Sequence, residues 1–326
     1  MSNPLVSICL PCFNAERYIG AAIESVLAQT YAPIEVIVVD DGSSDGSAEV
    51  VGSYQANGVR LVSGHHMGAA AARNLALAHS SGRFVLFLDA DDLIGPNHVE
   101  SLAARLEETD RRLAFGRLAR FSGNTAGARF SPDLHCHDLP GIEWLCRHWI
   151  GGAPVVQCGM FLIPSVLIKD HGGWDERLSL LDDFEFFSRI ICKSDGLAYA
   201  PQACLYYRVG IPGSLSRQVS REAYQSACLS CLLAVEYLLA AQDSLRTRKA
   251  CANLLQAFVY EFYPLFSGMR GKIGARMAEL GGSDIKPPGP LGFHLLRRWI
   301  VWHVAALFQK LANRGSSNLS RATGKI

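Results

Sequence analysis

At 326 residues the chain can bury one large core or one and a half ordinary domains. Its 31 basic and 30 acidic residues leave a net charge of +1, which removes the electrostatic case for nucleic acid as the main partner and suits an enzyme acting on small molecules. Ten cysteines in so long a chain, with Met1 to Pro4 running straight into a strand and no signal-peptide pattern, read as reduced thiols in a cytoplasmic protein.

Val6 to Leu10 is an apolar strand ended by Pro11. Asn14 is a candidate N-cap for a helix whose buried face is Ile19, Ala22, Ile23, Val26 and Leu27. Ile34 to Val39 forms a second strand, apolar except for Glu35, and ends in the turn Asp40-Asp41-Gly42-Ser43-Ser44-Asp45. A third strand, Val59 to Val62, leads through Gly64 and Gly68 into an Ala-rich helix ending near Ser80, and Gly82 closes it. Phe84 to Leu88 is a fourth strand, buried on both faces, which delivers Asp89, Asp91 and Asp92 as it ends. Acids this close repel one another unless a cation sits among them, and hard oxygen ligands favour Mg or Mn.

Strand and helix alternating in this way specify an α/β fold, a mostly parallel doubly wound sheet with helices on both faces. Ligands of such sheets bind beyond the strands' C-terminal ends, so Pro11 to Asn14, Asp40 to Asp45 and Asp89 to Asp92 should line one crevice. There is no G-x-G-x-x-G after the first strand, which counts against a dinucleotide-binding oxidoreductase.

A helix over Pro96 to Glu108 and a strand near Leu113 to Phe121 precede a polar stretch, Ser122 to Pro140, that reads as loop. His135, Cys136, His137 and Asp138 resemble metal ligands on paper, but side chains adjacent in the chain point different ways and rarely converge on one ion. A strand within Val155 to Pro164 and a short helix ending at Gly172 lead to Leu180-Leu181-Asp182-Asp183, which opens a helix with Phe184, Phe187, Ile190 and Ile191 inward. Acids in a first helical turn also suit the helix dipole, a purely structural reason for Asp182 and Asp183. Leu197 to Ala200 and Cys204 to Tyr207 read as strands.

From Glu222 onward the composition is helical, interrupted by Pro287, Pro288 and Pro290. No stretch has the roughly 18 consecutive apolar residues of a spanning helix. The last helix, 291–311, sets Arg297, Arg298 and Lys310 around Trp299, Ile300, Trp302 and Phe308; it suits a membrane surface and packing on the catalytic domain or a partner chain alike. The C-x-x-C pairs Cys9/Cys12 and Cys228/Cys231 lack further ligands at zinc spacing and read as core.

The ordered blocks VSICLPCFNAERYI, VIVVDDGSSDGS, GAAAARN, FLDADDL, GGWDERLSLLDDFEF and YRVGIPGSLS resemble family 2 of the inverting glycosyltransferases, which have the GT-A fold. The resemblance runs from about Pro4 to Ser216. It implies a catalytic domain over 1–216 and a separate helical region over 217–326. It also implies that Asp40 and Asp41 hold the nucleotide, with uracil favoured, that Arg73 lies near the nucleotide and diphosphate, and that Asp89 and Asp91 are the D-x-D motif, Asp91 the direct metal ligand. Asp183 matches the catalytic base. Asp182 stands where Glu is common, His66 where Asn is common, and Val209-Gly210-Ile211-Pro212 replaces a loop that often carries His.

The resemblance thus implies a metal-dependent inverting transfer of a single sugar from a nucleotide-diphosphate sugar to a hydroxyl of a glycan or lipid-linked acceptor, in cell-surface polysaccharide synthesis. Processive synthases carry Q-x-x-R-W, and here Leu295 stands at the first position before Arg298-Trp299. A non-catalytic nucleotide-sugar scaffold predicts loss of the base or metal acids, and a sugar nucleotidyltransferase predicts a Gly-rich basic loop where Pro11-Cys12-Phe13-Asn14 stands.

Overall fold

The computed structural model describes residues 3–106, 109–131, 136–152, 156–211, 220–262 and 267–286. β1 (Val6–Cys12), β2 (Ile34–Asp40), β3 (Val59–Ser63) and β4 (Phe84–Phe87) lie in parallel in the order β3-β2-β1-β4, connected by α1 (Ile19–Leu27), α2 (Ser47–Gly52) and α3 (Ala69–Ala78). The order reverses at β1, which opens a crevice beyond the ends of β1 and β4. The apolar residues of both strands are fully buried from Val6 to Leu10 and from Phe84 to Leu88. Burying each such side chain is worth about 1.5–3 kcal/mol, so these strands are the fixed frame from which the polar loops hang. Glu35, the polar exception in β2, accepts hydrogen bonds from the Ser7 hydroxyl and from the backbone N–H of Ser81 and Gly82, tying the far end of the sheet together.

The structure corrects several local expectations. Pro11 does not stop the first strand, because β4 pairs with β1 only as far as Cys9 and no neighbour requires the N–H that proline lacks. Asn14 is not a helix cap: α1 begins at Ile19 after Tyr18, and Leu27, placed on its buried face, is 40% exposed.

β5 (Leu93–Ile94), α4 (His98–Ala103), β6 (Arg112–Phe121), β7 (Arg129–Phe130), α5 (Gly141–Ile150), β8 (Phe161–Pro164), α6 (Ser165–His171), α7 (Asp182–Lys193) and β9 (Gly196–Arg208) follow. Beyond β4 the sheet becomes mixed, in the order β4-β8-β6-β9-β5 with β7 against β6. β8 runs antiparallel to β4 and β6, β5 antiparallel to β9, and β6 parallel to β9. The strands expected at Leu197 to Ala200 and Cys204 to Tyr207 are one strand, whose register against β6 shifts between Phe115 and Arg117. Gly116 sits at that shift, where a Cβ would lie 2.7 Å from the Cβ of Ala203. Asp138 accepts from Arg105 Nη2 at 2.8 Å and from the Tyr199 N–H at 2.8 Å, which occupies it structurally.

α8 (Arg221–Ala241), α9 (Leu245–Phe262) and α10 (Ser267–Glu279) complete the described chain. α8 packs on α7 and α9 on α5, and their apolar residues belong to the same core cluster as the sheet. By length and composition α8 would suffice to cross a membrane, against the expectation that no segment would; 56% of its apolar stretch is buried inside the protein instead. His135, the Gly213 to Ser216 loop, the proline break at 287–290 and the helix read over 291–311 lie outside the described residues.

Candidate active site

The loops after β1 and β2 meet. Asn14, with φ of 49°, accepts at its side-chain oxygen from the Ser44 N–H at 2.8 Å, while its own N–H donates to the Ser43 hydroxyl at 2.9 Å. It thereby staples the first loop to the second. Asp40 is buried and accepts from the Ser43 hydroxyl at 2.5 Å and the Ser43 N–H at 3.2 Å. Asp41 is more committed: its oxygens accept from the N–H groups of Met67 at 2.8 Å and Gly68 at 2.7 Å, so it holds the turn into α3. Gly68 adopts φ of 92° there, a left-handed conformation that suits glycine. Phe13 is 46% exposed and packs on the His66 ring at 4.8 Å, forming an aromatic rim beside these acids.

Arg73, on the buried face of α3, joins the two acidic clusters. Its Nη2 donates to Asp89 Oδ1 at 2.7 Å and its Nη1 to Asp182 Oδ2 at 2.6 Å. The guanidinium lies 4.4 Å from the centre of the Trp174 ring, which in turn stacks on Phe186 at 4.3 Å. A buried arginine shared by two carboxylates balances charge that would otherwise be costly to enclose. The D-x-D loop and the start of α7 are therefore neighbours, bridged by one side chain. The buried Cys158 thiol reports the same convergence: burial first, then Asp89, Asp183 and Asp92, push its pKa up, with Arg73 pulling it back.

The loop after β4 is held from the far side by β9. The Arg208 N–H donates to Asp92 Oδ1 at 2.8 Å and its Nε donates to the Asp91 carbonyl at 2.7 Å, with the guanidinium 4.4 Å from the Phe121 ring and 5.1 Å from Tyr18. Burial, then the nearby Asp89 charge, pushes Asp91 up to about 6. Asp92, almost fully enclosed, is driven well above the carboxylate range by burial and by Asp91 and Asp89. Among the described residues no cluster of three or more His, Cys, Asp or Glu side chains is set to hold a metal ion. Asp89 and Asp91 nevertheless fit Mg or Mn, because these ions are commonly held by one or two carboxylates with substrate phosphates and water completing the shell.

Asp183 lies in the first turn of α7 and accepts the Phe184 N–H at 2.7 Å. Burial, then Asp182, pushes its pKa up to about 8, and Arg73 opposes the rise. A carboxyl so tuned can take a proton only as the pH rises towards that value, and is then a stronger base than an ordinary carboxylate. Asp89, Asp182, Asp183 and Arg73 are thus brought together; Asp40, Asp41 and Asn14 lie at the ends of β1 and β2, and Pro11 is half-buried within β1.

Sequence reasoning passed over several residues that build the site. Trp174 carries Arg73, and Asn74 anchors Trp174 through its N–H at 2.8 Å and its carbonyl at 2.9 Å. Gly173 permits that approach, since a Cβ there would lie 2.4 Å from Asn74 Oδ1. Arg189 pairs with the buried Glu185 at 2.8 Å and donates to the carbonyls of His171, Gly172 and Gly173. The signal available was an i,i+4 Glu–Arg pair on the same helix as Asp183.

The family model described as glycosyl transferase family 2 matches residues 7–151. The chain is 40% identical over 221 residues to an uncharacterized glycosyltransferase of Haemophilus influenzae, covering 64% of this chain and 81% of that protein. It is 38% identical over 131 residues, 40% of the chain, to the UDP-Glc:alpha-D-GlcNAc-diphosphoundecaprenol beta-1,3-glucosyltransferase WfgD of Escherichia coli. That match spans about half of the E. coli protein's length, 52%. Among solved structures the fold is similar to that of S. aureus TarS 1-349, with a TM-score of 0.64 and 18% identity, covering 86% of this chain and 81% of that one.

Proposed function

The chain belongs to glycosyl transferase family 2 and is a glycosyltransferase, and from that premise we propose that it moves one sugar from a UDP-sugar to a hydroxyl of a glycan or lipid-linked acceptor, with inversion. The observation that carries this reading is Arg73, bonded at once to Asp89 of the D-x-D loop and to Asp182 beside Asp183. One cleft then offers a donor side and an acceptor side.

On the donor side, the Asp40–Asp41 pair would serve the base, with Pro11 and Asn14 shaping the wall beside it, and Asp89 and Asp91 would hold Mg or Mn. When bound, that cation supplies neutralisation of the charge developing on the departing diphosphate. On the acceptor side, Asp183 takes the hydroxyl proton as the acceptor oxygen attacks the anomeric carbon. The bond from that carbon to the diphosphate oxygen breaks as the new one forms, so a single displacement inverts the centre. Asp182 is engaged by Arg73 at 2.6 Å.

The nature of donor and acceptor draws support from the relatives. The E. coli enzyme's name specifies UDP-Glc and a diphosphoundecaprenol-linked acceptor, and TarS is known as complexes with UDP and with UDP-GlcNAc. A lipid-linked acceptor would bring the protein to the inner face of the membrane. Asp183→Asn tests the assignment through UDP release from UDP-glucose or UDP-N-acetylglucosamine: turnover is expected to fall by about 10³-fold or more with UDP affinity retained. Wild-type turnover in that variant removes Asp183 from the role.

A further inference from the structure

The first turn of α7 holds the base, yet its entry lacks the usual fixings. The residue before it, Leu181, has φ of 61° and ψ of 31° and makes no side-chain capping bond. Helix entries favour Ser, Thr, Asp or Asn, whose oxygen takes a first-turn N–H. A bulky residue such as leucine rarely adopts the left-handed region, so its surroundings must impose the conformation.

Those surroundings are α8. The Ser226 hydroxyl accepts from the N–H groups of Ser179 at 2.8 Å and Leu180 at 3.0 Å, and donates to the Leu180 carbonyl at 3.0 Å. One turn on, the Ser230 hydroxyl donates to the Leu181 carbonyl at 2.6 Å. Further along, the Tyr237 hydroxyl donates to Glu185 Oε1 at 3.0 Å. Ser226 and Ser230 stand four apart and so share one helix face, and they are 5% and 0% exposed. Alanine would pack against a neighbouring helix without the desolvation that a buried hydroxyl must offset. Here each hydroxyl is used up on the backbone of a single turn, 179–181, immediately before Asp182 and Asp183.

We propose that Ser226 and Ser230 are positioning residues for the transfer: α8 holds Leu181 in its left-handed conformation and so sets where Asp183 points. The proposal rests on Asp183 being the base. It also gives the helical region beyond the matched residues 7–151 a part in the chemistry. Both serines are buried with their hydroxyls bonded to the 179–181 backbone, so their loss should act on the step that uses Asp183 and spare the nucleotide side.

The test uses the full chain with Ser226→Ala and Ser230→Ala made separately, read as UDP release from the UDP-sugar the wild type turns over, with UDP and Mn affinity by calorimetry. Each variant is expected to lose roughly tenfold in kcat, ~1.4 kcal/mol of barrier, while UDP affinity stays within about twofold. Leu181→Asn, placed in the Ser230→Ala background, should recover most of that loss, because asparagine visits the left-handed region readily. Wild-type kcat in both serine variants, with Asp183→Asn inactive, overturns the positioning role and leaves the base in place. Equal losses in kcat and UDP affinity overturn it too, since α8 would then support the whole cleft. Full turnover by Asp183→Asn instead removes the base itself.

Discussion

Two acidic clusters face each other across Arg73, and they are held in different ways. The D-x-D loop grows out of β4, a fully buried strand, and is braced by Arg208 from β9 within the same sheet. Asp182 and Asp183 open a helix whose entry turn is braced by hydroxyls from α8, outside the sheet. On the proposed reading the first cluster meets a cation and a diphosphate, for which the rigid end of a central strand is suitable. The second meets an acceptor on that reading, and its geometry is entrusted to the part of the chain that the family model does not match. The proposal therefore makes donor handling and acceptor handling separable in the fold.

Arg208→Ala should break the comparison on the donor side with the larger effect. It removes the bond to the Asp91 carbonyl while leaving the backbone N–H that serves Asp92. Steady-state assays across Mn concentrations are expected to show KM for the nucleotide sugar rising roughly tenfold, about 1.4 kcal/mol, with a smaller change in kcat. A fall in kcat at unchanged KM would assign Arg208 to the acceptor side instead.

A smaller and graded effect comes from pH. An acid whose pKa is raised is protonated, and useless as a base, until the pH passes that value. Since burial and Asp182 hold Asp183 near 8, kcat/KM, which reports the free enzyme, should climb about tenfold per pH unit below that point and level off above it. A profile already flat from about pH 5, where an ordinary carboxylate has finished titrating, would mean that the α7 entry does not enclose its acid.

The difference between the clusters also explains what could be read beforehand. FVLFLDADDL announces itself because continuous apolar residues followed at once by acids mean a buried strand ending in charge, and the parallel pairing of the first four strands, though not their order β3-β2-β1-β4, follows from alternation. Asp183 was recoverable only through resemblance, because acids at a helix start have a sufficient electrostatic explanation of their own. The mixed half of the sheet was not legible: β8 reverses direction through long-range pairing with β4 and β6, which no local pattern encodes. Pro11 misled because a strand can tolerate proline where its neighbour has already ended, a tertiary fact. Ser226 and Ser230 look like ordinary small residues in an apolar helix, and only the contact with 179–181 gives them meaning.

The most direct test of the division between the clusters is calorimetry of UDP binding with and without Mn in wild type, Asp91→Asn and Asp183→Asn. Mn is expected to tighten UDP binding at least about tenfold in wild type and in Asp183→Asn, and to have little effect in Asp91→Asn, since on the proposed reading the loop after β4 would hold the cation. Mn-dependence that survives in Asp91→Asn, or disappears in Asp183→Asn, would contradict the assignment of the cation to one acidic cluster and the proton to the other.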